Sequence, residues 1–143
     1  MKADAMTEAA AKAVLDKFAE AYAKRDVESL LALFASDPDV VLYGTGADEK
    51  RVGLAEIKAQ AERDWSQSEA ASLKYGGTSV SAAGSVAWVA TDATFEAKVG
   101  GQKITLPGRL TCVLEGRGGK WLIMQSHFSL PAVEQAEGES FPT

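Results

Sequence analysis

Residues 101–131 carry two β-rich runs joined by a glycine-rich turn, and this hairpin limits what the rest of the chain can be. Side chains on a strand alternate between faces, so Leu110, Cys112 and Leu114 form one row while Arg109, Thr111 and Val113 form the other. The same parity sets Leu122, Met124 and Phe128 of the second run against Trp121, Ile123, Gln125 and His127, the only histidine. Each strand has an apolar face and a mixed one. The apolar face needs helices from elsewhere to cover it.

Those helices come first. Thr7 is placed to cap a helix whose apolar residues, Val14, Leu15, Phe18, Ala21 and Tyr22, recur at the spacing of one helical face. Lys24 and Arg25 suit its C-terminus. Asp26 caps a second, short helix with Val27, Leu30, Leu31 and Phe34 on one stripe. Ser36-Asp37-Pro38-Asp39 then breaks the pattern, because proline removes a backbone donor and restricts its predecessor, and residues 40–43 follow as a short strand. Residues 44–51 read as a polar surface loop. Its two glycines invite a phosphate cradle, but the lysine and Ser/Thr of a P-loop are missing and no helix follows directly. Gly53 opens a third helix, with Glu56 in its first turn and Leu54, Ile57, Ala61 and Trp65 on one face.

From Ala70 onward the helical period is lost. Residues 72–81, 85–99, 103–115 and 120–129 read as four strands divided by glycine-bearing turns, and Gly76-Gly77 and Pro107-Gly108 mark expected bulges or bends. Helices first and an antiparallel meander after them predict an α+β domain with helices on one face of a curved sheet. At 143 residues and 46% hydrophobic content the chain is expected to form one domain, residues 1–143, with an ordered core at about 7–131. A net charge of −5 argues against nucleic-acid and anionic-membrane partners. The single cysteine, Cys112, makes no internal disulfide, which fits a reducing compartment. With no leader pattern and no apolar run of roughly 20 residues, the expected location is the cytoplasm.

The order of helix, short helix, strand, the Val52-Gly53…Ile57…Trp65 helix, a strand with Ala87-Trp88-Val89, then Arg109-Leu110-Thr111 and Gly119-Lys120-Trp121-Leu122-Ile123…His127-Phe128-Ser129-Leu130-Pro131 resembles the SnoaL-like branch of the nuclear transport factor 2-like superfamily. The resemblance runs from about Thr7 to Pro131. It implies a cone-shaped fold, three N-terminal helices packed on a curved antiparallel sheet, with a pocket at the wide end and a homodimer joined through the outer sheet face. The superfamily hosts ketosteroid isomerases, polyketide cyclases, dehydratases and kinase association domains, so the fold alone leaves the function open.

Isomerase chemistry needs a carboxylate base and, across the pocket, a tyrosine and a protonated acid. Family members carry the base on the first strand, which here reads Val-Val-Leu-Tyr, while Asp37 and Asp39 flank a proline turn. The usual base is not evident, and no catalytic residue is assigned. Tyr22 is either an oxyanion donor or core. His127 is either a proton-transfer group or structural, and one histidine without an Asp/Glu cluster makes no metal site. Neither a metal nor a cofactor is expected.

The pocket candidates are Tyr22, Tyr43, Trp65, Trp88, Arg109 and His127. Two arrangements stay open. If the mixed rows point inward, Arg109, His127 and Trp88 line a polar pocket where Arg109 holds a carboxylate or enolate oxygen. If the apolar rows point inward, Trp88, Asp92, Arg109, Thr111, Gln125 and His127 become an outer dimer face, with Asp92 and Arg109 free to pair across strands. Two functional readings follow. One is a protein binding a small, mostly apolar molecule with a polar or anionic group, acting without cofactor as an isomerase, cyclase or dehydratase. The other is a non-catalytic assembly module.

Overall fold

The computed structural model describes residues 1–143. Helix α1 (Ala5–Lys24) starts on Asp4, whose Oδ1 accepts from the Thr7 amide at 2.7 Å, so the cap lies three residues before the threonine expected to supply it. Its buried face is Ala11, Val14, Leu15, Ala21 and Tyr22. Helix α2 (Val27–Leu31) starts on Asp26, which accepts from the Ser29 amide at 3.1 Å. Between the helices Arg25 takes a left-handed conformation, φ 58°.

Strands β1 (Val41–Tyr43) and β2 (Lys50–Val52) pair as an antiparallel hairpin, so the stretch expected to be all loop ends in a strand. An edge strand this short and charged leaves no apolar period to read. Helix α3 (Leu54–Ser66) follows, then β3 (Ala70–Ala83), β4 (Val86–Val99), β5 (Gln102–Arg117) and β6 (Lys120–Ser129). Gly100 and Gly101, at φ 58° and 77°, make the tight turn between β4 and β5, a conformation that favours glycine.

The six strands run in the order β2-β1-β6-β5-β4-β3, and the helices pack on one face of this curved, open sheet. One pairing departs from the antiparallel expectation: β1 runs parallel to β6, with Leu42 beside Ser126 and Tyr43 beside His127. No tight turn sets that direction, because α3 and the whole meander lie between the two strands. No helix is long and apolar enough to cross a membrane.

Parity is set by two irregularities. The register slips between Gly76 and Ser79 on β3, as the glycine pair predicts. The second slip is not at Pro107-Gly108, where β4 and β5 stay in unbroken register, but on β6: Val113 faces Gln125 while Leu114 faces Ile123, leaving Met124 as an extra residue. The bulge turns Ile123 into the core together with Ser126 and Phe128, so the simple alternation that grouped Ile123 with His127 fails here. Gly108 has a different role, since a Cβ there would lie 2.5 Å from the Phe128 ring and 2.6 Å from the Ser129 carbonyl.

Leu110, Cys112 and Leu114 of β5 and Ala87, Val89 and Ala93 of β4 all point inward and meet Ala11, Val14 and Leu15 of α1. A smaller cluster, Ala21, Tyr22, Leu30, Ala61 and Trp65, joins the three helices. Gly108→Ala tests the close approach. Overpacking of this kind costs about 1–3 kcal/mol, read as a lower urea midpoint, and Phe128→Leu in the same chain is expected to recover part of the loss.

Candidate functional site

Between the helices and the inward face of the sheet lies a cavity of about 340 Å³. Its wall is mainly apolar, with Phe18 of α1, Phe95 of β4, Leu110 of β5 and Phe128 of β6 prominent. Tyr22, Phe95 and Phe128 form a run of tilted rings, with centroids 5.5 Å apart from Tyr22 to Phe95 and 4.7 Å from Phe95 to Phe128.

The polar part of the wall is built on α3. Its inward stripe, Ile57, Ala61 and Trp65, is interleaved with Gln60 and Asp64, one turn apart. The Tyr22 hydroxyl donates to Asp64 Oδ2 at 2.9 Å, and Gln60 Nε2 donates to Asp64 Oδ1 at 2.7 Å. Gln60 Nε2 also donates to Glu49 Oε1 at 2.9 Å, and the Gln60 carbonyl oxygen accepts from Arg51 Nε at 2.9 Å. Tyr22, Gln60, Asp64 and Glu49 all border the cavity.

Glu49 is held by its own loop. Its carboxylate accepts from the Gly46 amide and from Arg63 at 3.1 Å, while Asp48 takes the other arm of the same guanidinium at 2.6 Å. A side chain at Gly44 would meet Glu49 Oε2 at 2.7 Å, so the glycine admits the protein's own carboxylate. An incoming phosphate would compete with it for the Gly46 amide.

Burial pushes the Asp64 carboxyl above its ordinary range, with the Glu49 charge adding to the effect and the bonds from Tyr22 and Gln60 opposing it. Burial, and then the neighbouring Asp64 charge, push the Tyr22 phenol far up. Deeper in the cavity Cys112 faces Ser126 across the β5–β6 ladder, its thiol 3.8 Å from the serine oxygen and pushed up by burial to about 11. The Tyr75 hydroxyl is buried and finds no partner.

The six residues singled out from the sequence separate into two groups. Tyr22 lines the cavity. Trp65 is buried behind it, its Nε1 donating to the Tyr22 carbonyl at 3.1 Å, and is not a lining residue. Tyr43 borders the cavity, but its ring stacks on His127 with centroids 5.0 Å apart. Trp88, Arg109 and His127 point away from the cavity on the outer face, with Asp92, Thr111 and Gln125 exposed beside them. The apolar rows therefore face inward, and Arg109 does not reach the cavity.

Asp37 is no candidate base either. Arg117 grips it through two bonds of 2.6 and 2.7 Å, which holds its carboxyl below the usual range. Sequence reasoning missed Asp64, Gln60 and Glu49. The available signal was a carboxylate on an apolar stripe: Asp64 lies seven residues after Ile57 and three after Ala61.

A family described as the SnoaL-like domain matches residues 11–133. No curated protein matches the chain by sequence. Among solved structures, a candidate calcium/calmodulin-dependent protein kinase II association domain from Xanthomonas campestris is 27% identical, with a TM-score of 0.76 over 86% of this chain and 86% of that one. A candidate aromatic ring hydroxylase from Novosphingobium aromaticivorans is 15% identical, with a TM-score of 0.83 over 92% of this chain and 93% of that one. A candidate scytalone dehydratase from the same organism is 13% identical, with a TM-score of 0.80 over 89% of this chain and 85% of that one.

The Asp64 environment makes a signed prediction. A carboxyl whose folded pKa exceeds the ordinary 3.8 is costly to ionise in the fold, so its cost is absent below that value, grows as pH rises towards the folded pKa, and is constant above it. Wild-type stability relative to Asp64→Asn is expected to fall over that window and then level off. Carbon-detected NMR should show Asp64 titrating above 3.8, and Tyr22→Phe, which deletes a bond to the carboxylate, should move it higher still.

Proposed function

This chain belongs to the SnoaL-like domain family, and from that premise we propose that it binds a small, mostly apolar molecule carrying a hydroxyl, carbonyl or carboxylate group in the cavity between helices and sheet. The observation that carries the reading is the pairing of an apolar, ring-lined cavity with the hydrogen-bonded pair of Tyr22 and Asp64 on its wall. Pockets of a few hundred cubic ångströms with a few convergent polar groups are the usual form of small-molecule sites. The aromatic rings favour a flat, unsaturated ligand.

The same patch supports cofactor-independent acid–base chemistry of the isomerase or dehydratase type. A buried carboxylate with a raised pKa is a better proton acceptor than an exposed one, and the Tyr22 phenol, its one hydrogen bonded to an Asp64 oxygen, steadies that carboxylate. Asp64 takes a proton from the ligand, leaving the electron pair on the ligand's conjugated system. Isomerisation returns that proton to a different ligand atom. Dehydration expels hydroxide from the neighbouring carbon, and the proton leaves with it as water.

A second reading has its own observation. The outer face carries Trp88, 37% exposed, with Arg109, Thr111 and the Tyr43–His127 stack, a mixture of aromatic and charged groups typical of interfaces. We assign it as a homodimer surface, compatible with a ligand-binding role and equally with a pure assembly module.

Thermal shift against hydroxylated aromatics, cyclic enones and aromatic acids separates the two. A ligand at 100 times its dissociation constant is expected to stabilise wild type by about 2.7 kcal/mol, and the gain should shrink in Asp64→Asn and Tyr22→Phe. A flat response from every compound would leave the assembly module. Sedimentation equilibrium checks the surface: Trp88→Glu should give monomers, and a monomeric wild type would remove the interface.

A further inference from the structure

Gln60 is buried, and every polar atom of its side chain has a partner. The amide has one acceptor end and one donor end, and which way round it sits decides what it offers its neighbours. Arg51 Nε, 2.9 Å from the amide oxygen, occupies the acceptor end. The NH2 group must then face the two carboxylates, Glu49 at 2.9 Å and Asp64 at 2.7 Å. Turned the other way, the amide would set its oxygen against two carboxylate oxygens and its NH2 against a guanidinium, so the orientation follows from charge alone.

This orientation bears on Asp64. With Gln60 donating to Oδ1 and Tyr22 to Oδ2, both oxygens of Asp64 accept, which favours the ionised form. The other charged groups facing Asp64 are Glu49 and Arg63, which act in opposite directions. Arg51 bonds Gln60 and Gln60 bonds Asp64, so the hydrogen-bonded link from Arg51 to Asp64 runs through the amide.

We propose that Arg51 and Gln60 are positioning residues that hold Asp64 as the proton acceptor of the cavity, Arg51 fixing the amide and the amide fixing the carboxylate. The proposal rests on the acid–base reading of this site, but its test needs no ligand. Arg51→Lys keeps the charge and replaces the Nε–H by a methylene, since the lysine nitrogen lies one atom further out. Arg51→Met removes the charge as well. In both variants the amide loses its anchor.

The measurements are the carboxyl titration of Asp64 by carbon-detected NMR and the hydrogen exchange of the Gln60 side-chain NH2, each at low and high salt. Both variants are expected to raise the Asp64 midpoint and to speed Gln60 exchange, and both effects should persist at high salt, where through-space charge effects fade. If Arg51→Lys behaves as wild type, charge and not the Nε–H is responsible and the proposal is overturned. If the Arg51→Met shift vanishes at high salt, it is likewise overturned. These outcomes are independent of whether any compound binds, so failure of the ligand screen and failure of the positioning role are read separately.

Discussion

The cavity depends on how the end of α3 is tied to the end of α1. Hydrogen bonds join residues 22–25 to residues 64–68: the Tyr22 hydroxyl to Asp64 at 2.9 Å, Trp65 Nε1 to the Tyr22 carbonyl at 3.1 Å, and the Arg25 guanidinium to the Trp65 and Ser68 carbonyls, both at 2.7 Å. They fasten helix to helix rather than helix to sheet. The left-handed φ of 58° at Arg25, costly for a residue with a Cβ, turns the chain directly into the Asp26 cap of α2, and the Arg25 side chain bonds one carbonyl in the last turn of α3 and one just beyond it. Over the narrow part of the cone α1 packs chiefly on β3, with smaller contacts to β6 and β4, while at the Tyr22 end the helices are held to one another and a hollow remains beneath them.

The fold was readable because its signals are periodic and local. The helical stripes of α1 and α3, the Asp26 cap and the glycine turns each state one conformation, and they agree with one another. Pairings that depend on long-range contact were not readable. Nothing in Val-Leu-Tyr says that β1 lies parallel to β6, and the Met124 bulge carries no glycine to announce it. That bulge decides which side of β6 is inside. Alternation from Trp121 gave the wrong face for Ile123, although counting back from Phe128 gave the right one for His127, because the extra residue lies between them.

The site was harder to read for a related reason. Aromatic residues and the lone histidine drew attention because their chemistry is distinctive, but three of them, Trp88, His127 and the ring of Tyr43, belong with Arg109 to the outward side. Asp64 and Gln60 look like solvent-facing residues of an ordinary amphipathic helix until their angle around the axis is compared with that of Ile57 and Ala61. Glu49 lies in a loop whose glycines suggested a site for an external anion, and the anion they accommodate is internal. A charged residue on the apolar stripe of its helix is a sharper pointer to a site than an aromatic residue there, because burial of the charge costs stability that an apolar side chain would supply.

That cost bears on what the network is for. A helix stripe of Ile57, Ala61 and Trp65 completed by apolar residues at positions 60 and 64 would have no carboxyl to desolvate beside Tyr22. The protein instead buries Gln60, surrounds it with Arg51, Glu49 and Asp64, and leaves the space between Tyr22, Phe95 and Phe128 open. Each of these departs from the most stable arrangement in the same place. Buried polar groups and empty volume coincide at the end of α3, and the left-handed Arg25 lies against them at the adjoining end of α1.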